Sequence, residues 1–451
     1  MPTPNKCNDV TGKAFAIRAR FLSPLANGEL LDLTDGTLAV DAAGRIGWIG
    51  PSSAYAGDKA AVIDLRPLVV TPGMVDIHAH LPQVPITGLG GSHPLMPWLE
   101  LVMKPAERAF AGPDVEAAAA EFLSVFTKAG TTTVSLYSSV DADATDVAFR
   151  VAANMGLRVI MGQCLMDRMR YDDAPEAGIT ERRLAESETL CRRWHNYDNG
   201  RLMYAFTPRF ALSCSEVMLA ESARMAAAAG AYWQTHVSED PDEIAEVLKV
   251  FPAARDYLDI YDRAQGLGSK TILAHGVYLS DRELGRIKET NSSIAHCPSN
   301  IFGGGGLLDV ARYREIGIAV GLATDVGGCS NESMFKAMEL GWLAQAAREK
   351  IQGRGPVMKS LADWFHMATL GGASTLGLQD SIGSLEVGKD ADMIAVDVEV
   401  LMIRPEISNC DAGLLLDLMV FRARPGMVRN TWVRGRLVAG HIGAEAMGST
   451  V

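Results

Sequence analysis

Five histidines and one aspartate are spaced along this sequence so that they could hold a metal ion. His78, His80, His236, His275, His296 and Asp325 each fall at the end of an apolar, β-branched stretch. A histidine satisfied by a single core neighbour has no reason to recur at that level. Alternate residues of a strand point to one side, so His78 and His80 can offer two imidazole nitrogens to one ion. Zn2+ favours imidazole with carboxylate, and a catalytic site keeps a place for water beside its protein ligands. His236 and Asp325 would complete such a set. An isolated His-x-His is as often incidental, but here TPGMVDI precedes the pair and further strand-end residues join it. A zinc ion so held lowers the pKa of bound water from about 15.7 to near 7, which points to hydrolysis.

These residues need a scaffold that brings distant stretches to one level. Between about Val69 and Leu378 the text alternates apolar β-branched runs with Ala- and Glu-rich helical text, the pattern of strands separated by helices. Eight candidate strands run near VVTPGMVDIH, TTTVSL, RVIMGQC, RLMYAFTP, YWQTHVSE, KTILAHG, SSIAHCP and AVGLATDV. His78 and His80 end the first, His236 the fifth, His275 the sixth, His296 the seventh and Asp325 the eighth. Eight such alternations predict an α/β fold, a (β/α)8 TIM-type barrel with its active site where the strands end. From Ala14 to Leu65, and again after GSLEVGKDADMIAVDV, short β-type runs alternate with turn residues. Residues 1–68 and 379–451 are therefore expected to form a small β-sandwich domain from both chain ends, with 69–378 as the catalytic barrel. The glycines Gly303 to Gly306 lack the Lys-Ser/Thr of a phosphate-binding loop and read as an ordinary turn.

Bulk properties exclude several function classes. Among 451 residues, 42 basic and 54 acidic side chains leave a net charge of −12, the wrong sign for a surface that neutralises a polynucleotide. The seven cysteines are odd in number, scattered and without a C-x-x-C pair, which argues against a disulfide framework or a thiolate zinc site and fits a reducing compartment. No basic segment followed by an apolar stretch opens the chain, and no run of eighteen apolar residues occurs. The expectation is a cytoplasmic protein with a small-molecule substrate and no membrane partner.

The strand-end pattern resembles the amidohydrolase superfamily, and within it the guanine deaminase branch. The matching text is PGMVDIHAHLPQ at 72–83, TPRFALSCSE at 207–216, QTHVSEDPDE at 234–243, AHGVYLSDREL at 274–284, IAHCPSN at 294–300 and GLATDVGG at 321–328. The superfamily's two-metal members usually carry a lysine on the fourth strand. RLMYAFTPRF has none, so the resemblance implies one Zn2+ per chain, held by His78, His80, His236 and Asp325. The cytidine-type zinc deaminase signature, H-x-E with P-C-x-x-C, has no counterpart here.

The resemblance implies hydrolytic deamination of guanine to xanthine and ammonia. Attack at C2 requires a proton donor for the ring and later for the amine, and Glu239, three residues after His236, is the candidate. By residue type alone Glu239 would be an exposed loop acid. Asp325 would serve both as ligand and as base, and His275 would orient the attacking group. Gln83, whose amide donates and accepts, and Arg209, with a rigid fork suited to O6, would read the purine edge. Phe210 would offer a stacking face, and His236 would also border the substrate. His296 reads as a structural or supporting residue, and Met96 to Glu100 with Trp98 as apolar packing near the pocket. Related enzymes have one more residue between the proline and asparagine of IAHCPSN, so the Ser299 to Gly306 loop departs from the pattern. That departure keeps open another amino-heterocycle, such as 8-oxoguanine, a pterin or a triazine. A barrel scaffold without activity is the remote alternative, disfavoured because every ligand residue is present. The resemblance also implies a homodimer.

Overall fold

The computed structural model describes residues 13–300, 305–353, 358, 360–402 and 410–442. The chain opens with Phe15–Pro24 (β1), Leu30–Val40 (β2), Ile46–Pro51 (β3) and Val62–Pro72 (β4). It continues through Met74–His80 (β5), Thr131–Tyr137 (β6), Arg158–Gly162 (β7), the two-residue Cys164–Leu165 (β8) and Leu202–Pro208 (β9). Then follow Tyr232–Val237 (β10), Thr271–His275 (β11), Ser293–His296 (β12) and Ala319–Leu322 (β13). Met393–Val396 (β14), Val428–Val433 (β15) and Arg436–Gly440 (β16) end the described chain.

Strands β5, β6, β7, β9, β10, β11, β12 and β13 lie side by side in that order, with β8 alongside β9. Every pairing among them is parallel. Strands β5, β6, β7, β9, β10, β11 and β12 are buried along their whole length, which is why their sequences are near-continuous apolar runs rather than alternating ones. Val75, Ile160, Ala205, Tyr232, Ile272 and Ala295 pack into one cluster that gathers side chains from six strands. Residues just beyond β13 close the ring: the Asp325 amide donates to His78 O at 3.0 Å and the His80 amide to Val326 O at 3.2 Å.

Local chemistry explains the intervening helices. Ala142–Met155 begins where the Asp141 carboxylate accepts from the Ala144 amide and stops at Gly156 in a left-handed conformation. Glu216–Ala229 is bounded the same way by Ser215 and Gly230. A side-chain acceptor at the start and glycine at the end satisfy amides and carbonyls the helix leaves unpaired.

Both chain ends contribute to a second sheet, ordered β16-β15-β14-β4-β1-β2-β3. In its hydrogen bonding it is one mixed sheet rather than the two layers of a sandwich, with β1 and β4 parallel and the other pairs antiparallel. The text VVTPGMVDIH is divided: β4 takes Val69–Pro72, and after Gly73 alone the chain starts β5. A Cβ on Gly73 would stand 2.1 Å from Thr132 Cγ2, so only glycine lets the two sheets join this closely. Arg158, on β7, ties them further, with Nη2 2.7 Å from Asp390 Oδ2 and Nε 2.9 Å from Asp392 Oδ2.

Candidate active site

Strand β5 delivers His78 and His80 to one end of the barrel, their ring centroids 4.9 Å apart. Its register against β6 shifts between Asp76 and Ala79, an irregularity of the kind that re-aims side chains beside sites. Asp325 lies three residues beyond the end of β13 rather than on it, and its backbone has φ 57°; His275, closing β11, has φ 67°. Non-glycine residues held in that region carry strain that the surroundings must overcome, and such residues concentrate at functional sites. Asp76 helps hold Asp325 there: its carboxylate accepts from the Thr324 hydroxyl at 2.5 Å and the Thr324 amide at 3.0 Å.

The distances within the cluster have a simple geometry. Asp325 Oδ1 is 3.3 Å from His78 Nε2 and 3.5 Å from His80 Nε2, and His80 Nε2 is 3.2 Å from His236 Nε2. Ligands about 2.0–2.1 Å from one zinc stand about 3.3–3.4 Å from one another, so these three separations are those of atoms that can share one ion. His236 Nδ1 lies 2.6 Å from the Arg209 carbonyl. A carbonyl only accepts, so that nitrogen carries the proton and Nε2 is left with its lone pair, the orientation ligating imidazoles adopt. His78 Nε2 is buried and, among the described residues, has no well-aligned hydrogen-bond donor or acceptor, only the Asp325 carboxylate at 3.3 Å. A cation between the two would satisfy both. The four residues therefore fit a zinc ion.

The electrostatics agree. Burial pulls His80 and His275 down to about 4, keeping both neutral and able to ligate near pH 7. Burial pushes the Asp325 carboxyl up, but the His78 and His80 imidazoles more than offset this and hold it well below the usual range. Glu239 goes the other way: burial first, then the negative charge of Asp325, drives it well above an ordinary glutamate. Its side chain keeps 19% exposure at the pocket wall, so solvent tempers that push. Glu239 Oε2 stands 3.5 Å from His275 Nε2. Asn300 Nδ2 donates to the Glu239 carbonyl at 3.1 Å and anchors the turn that presents it.

A pocket opens over this cluster, lined by His80, Gln83, Trp98, Leu99, Arg209, Phe210, His236, Glu239, His275, Asp325, Gly327 and Cys329. All nine catalytic, metal and binding residues singled out in the sequence thus converge, eight on the pocket wall and His78 against Asp325 behind it. His296 is absent from that lining and is buried with its ring 6.0 Å from that of Trp364. In the segment read as packing, Trp98 and Leu99 do face the pocket, and Trp98 is fixed by its Nε1 donating to Leu89 O at 3.0 Å. Within the Ser299 to Gly306 loop, residues 301–304 lie outside those described, as does Cys7. Sequence reasoning missed Asp76, Glu107 and Gly327. Asp76 had a signal, standing two residues before His78 on the same strand, and Gly327 stood in the GLATDVGG text. Glu107 had none.

A parallel barrel with imidazole and carboxylate ligands gathered where its strands end defines the class, and the chain belongs to the amidohydrolase family, which residues 69–438 match. Within that family it falls with the guanine deaminases. It is 37% identical over 383 residues to the probable guanine deaminase of Deinococcus radiodurans, covering 82% of this chain and 85% of the relative. Against the guanine deaminase of Escherichia coli K12 the identity is 33% over 418 residues, 90% of this chain and 91% of that one. The solved guanine deaminase of C. acetobutylicum, with guanine bound in its active site, superposes with TM-score 0.86 at 26% identity, covering 95% of this chain and all of that chain (100%). Among the described residues no helix is long and apolar enough to cross a membrane.

Proposed function

We propose that this chain hydrolyses guanine to xanthine and ammonia with one zinc ion held by His78, His80, His236 and Asp325. The observation that carries the reading is the close approach of His78, His80 and Asp325, with His236 beside His80, beneath a pocket walled by Gln83, Arg209 and Glu239, in a chain matching guanine deaminases over most of its length. When bound, zinc supplies water acidic enough to attack at neutral pH. Gln83 and Arg209 hold the purine edge, Phe210 and His236 border the ring, and His275 orients the attacking water. Asp325 Oδ1 faces the two imidazoles, and its carboxylate takes the proton the water gives up. As the C2–O bond forms, Glu239, keeping its own proton until then, donates it to the ring nitrogen beside C2; it then carries the hydroxyl proton to the amine, and the proton taken by Asp325 restores it. The C2–N bond breaks and ammonia leaves.

The same reading carries a homodimer in the cytoplasm and a division of the chain at residues 1–68, 69–378 and 379–451. Six described cysteines are free thiols, as a reducing compartment leaves them. The test is ammonia release and ultraviolet change when the zinc-loaded protein meets guanine, with 8-oxoguanine, adenine, cytosine, a pterin and a triazine alongside. Guanine turnover exceeding that of the others is the expected result; turnover of another heterocycle instead would refute the substrate while keeping the metal chemistry.

A further inference from the structure

Glu107, on the helix Lys104–Phe110, is buried and does not line the pocket. Its carboxylate nevertheless gathers both residues that face the substrate edge. Gln83 Nε2 donates to Oε1 at 2.5 Å, Arg209 Nη1 donates to the same oxygen at 2.8 Å, and the Tyr171 hydroxyl donates to Oε2. Burial pushes this carboxyl up, but Arg209, the nearby His80 and the Tyr171 hydroxyl more than offset that and hold it below the ordinary glutamate range. It is therefore ionised near pH 7.

An ionised carboxylate only accepts hydrogen bonds. The nitrogen end of the Gln83 amide must then face Glu107, and the carbonyl end is turned away. Its Oε1 lies against pocket-lining Gly327, where an added Cβ would come within 2.1 Å of it. Arg209 commits only Nη1 to side chains among the described residues, so its remaining N–H groups can serve the pocket it lines. The rim is left with an acceptor on Gln83 beside donors on Arg209.

We propose that Glu107 is a positioning residue that fixes this polarity, so that the pocket selects a ring N–H next to a carbonyl, the lactam edge of a 6-oxopurine, and rejects the reversed pattern. The inference rests on the guanine reading and adds the group that enforces it. In 2,6-diaminopurine the C2 amine is retained, but the ring N–H becomes an acceptor and the carbonyl becomes an amine, so both contacts at the rim turn repulsive.

The experiment compares guanine with 2,6-diaminopurine in wild type and in Glu107→Gln, reading kcat/KM and equilibrium binding, with zinc content measured in each. Wild type should prefer guanine by about a hundredfold or more, since sites built on buried polar contacts discriminate strongly. In Glu107→Gln, whose amide both donates and accepts, the Gln83 amide can turn over. The preference should narrow by about tenfold or more, with KM for guanine rising more than kcat falls. A merely structural loss lowers the active fraction for both purines and leaves their ratio unchanged. A folded, zinc-bearing Glu107→Gln with the wild-type ratio overturns the proposal, as does a wild type that binds both purines equally. If Glu107→Gln does not fold, Glu107→Asp, which withdraws the carboxylate from Gln83, is read by the same criteria. Wild type that prefers guanine in binding but does not turn it over defeats the functional reading alone and leaves the polarity supported.

Discussion

Glu239 and Asp325 are carboxylic acids at one site, and their surroundings drive their proton affinities apart. Asp325 is held anionic by two imidazoles, while Glu239 is pushed up by burial and by that same anion. Separated affinities of this kind assign one group as base and the other as acid. Glu239→Gln should keep zinc while kcat falls by roughly 10² to 10⁴, as steady-state rates and metal analysis would show; an unchanged kcat would remove Glu239 from the chemistry. The protonated acid is the active form, so activity should decline as pH rises through the raised pKa of Glu239, and the residual activity of the glutamine variant should lack that basic limb. Asp325→Ala should lose zinc and activity together, measured on the same preparation. Arg209→Lys keeps the charge but replaces a fork with a point, and kcat/KM for guanine should fall by about tenfold or more; equal values would refute the edge contact.

At the scale of the element, the turn after β13 matters as much as the strands. Gly327 has φ 111°, and an added Cβ would lie 2.1 Å from Gln83 Oε1 and 2.4 Å from Gln83 Cβ. Gly327→Ala should displace Gln83 and raise KM for guanine by at least about tenfold, the equivalent of 1.4 kcal/mol, with zinc content unaltered; an unchanged KM would place the edge contact elsewhere. Strands were legible in the sequence because parallel barrel strands are buried on both faces and read as apolar runs. Ligands were legible because strand periodicity sets His78 and His80 on one side. What escaped reading is what depends on contacts between distant segments. Nothing local to KPAERAF distinguishes Glu107 from a solvated helix acid, since its partners Gln83, Tyr171 and Arg209 come from three other segments. Asp325 was assigned to a strand end because periodicity cannot foresee a left-handed turn three residues beyond it.

For the whole molecule, the joint between barrel and small sheet is the feature most open to a stability test. Arg158 is buried between Asp390 and Asp392, with side-chain exposures of 3%, 11% and 1%. Removing one partner of a buried pair leaves uncompensated charge and costs about 3–5 kcal/mol. Arg158→Met should therefore lower the Tm by several degrees in calorimetry, with kcat and zinc content of the folded fraction retained. A Tm within a degree of wild type would show that Arg434, whose Nε is 3.2 Å from Asp390 Oδ2, suffices to hold the joint.

The order of the small sheet also sets a schedule for synthesis. Val69–Pro72 of β4 pairs with Met393–Val396 of β14, which emerges from the ribosome only after the entire barrel. At roughly 5–20 residues per second, the nascent chain carries that unsealed edge for tens of seconds. Pro72 has no backbone donor to offer along it, and such a gap discourages a stray strand from taking the place reserved for β14.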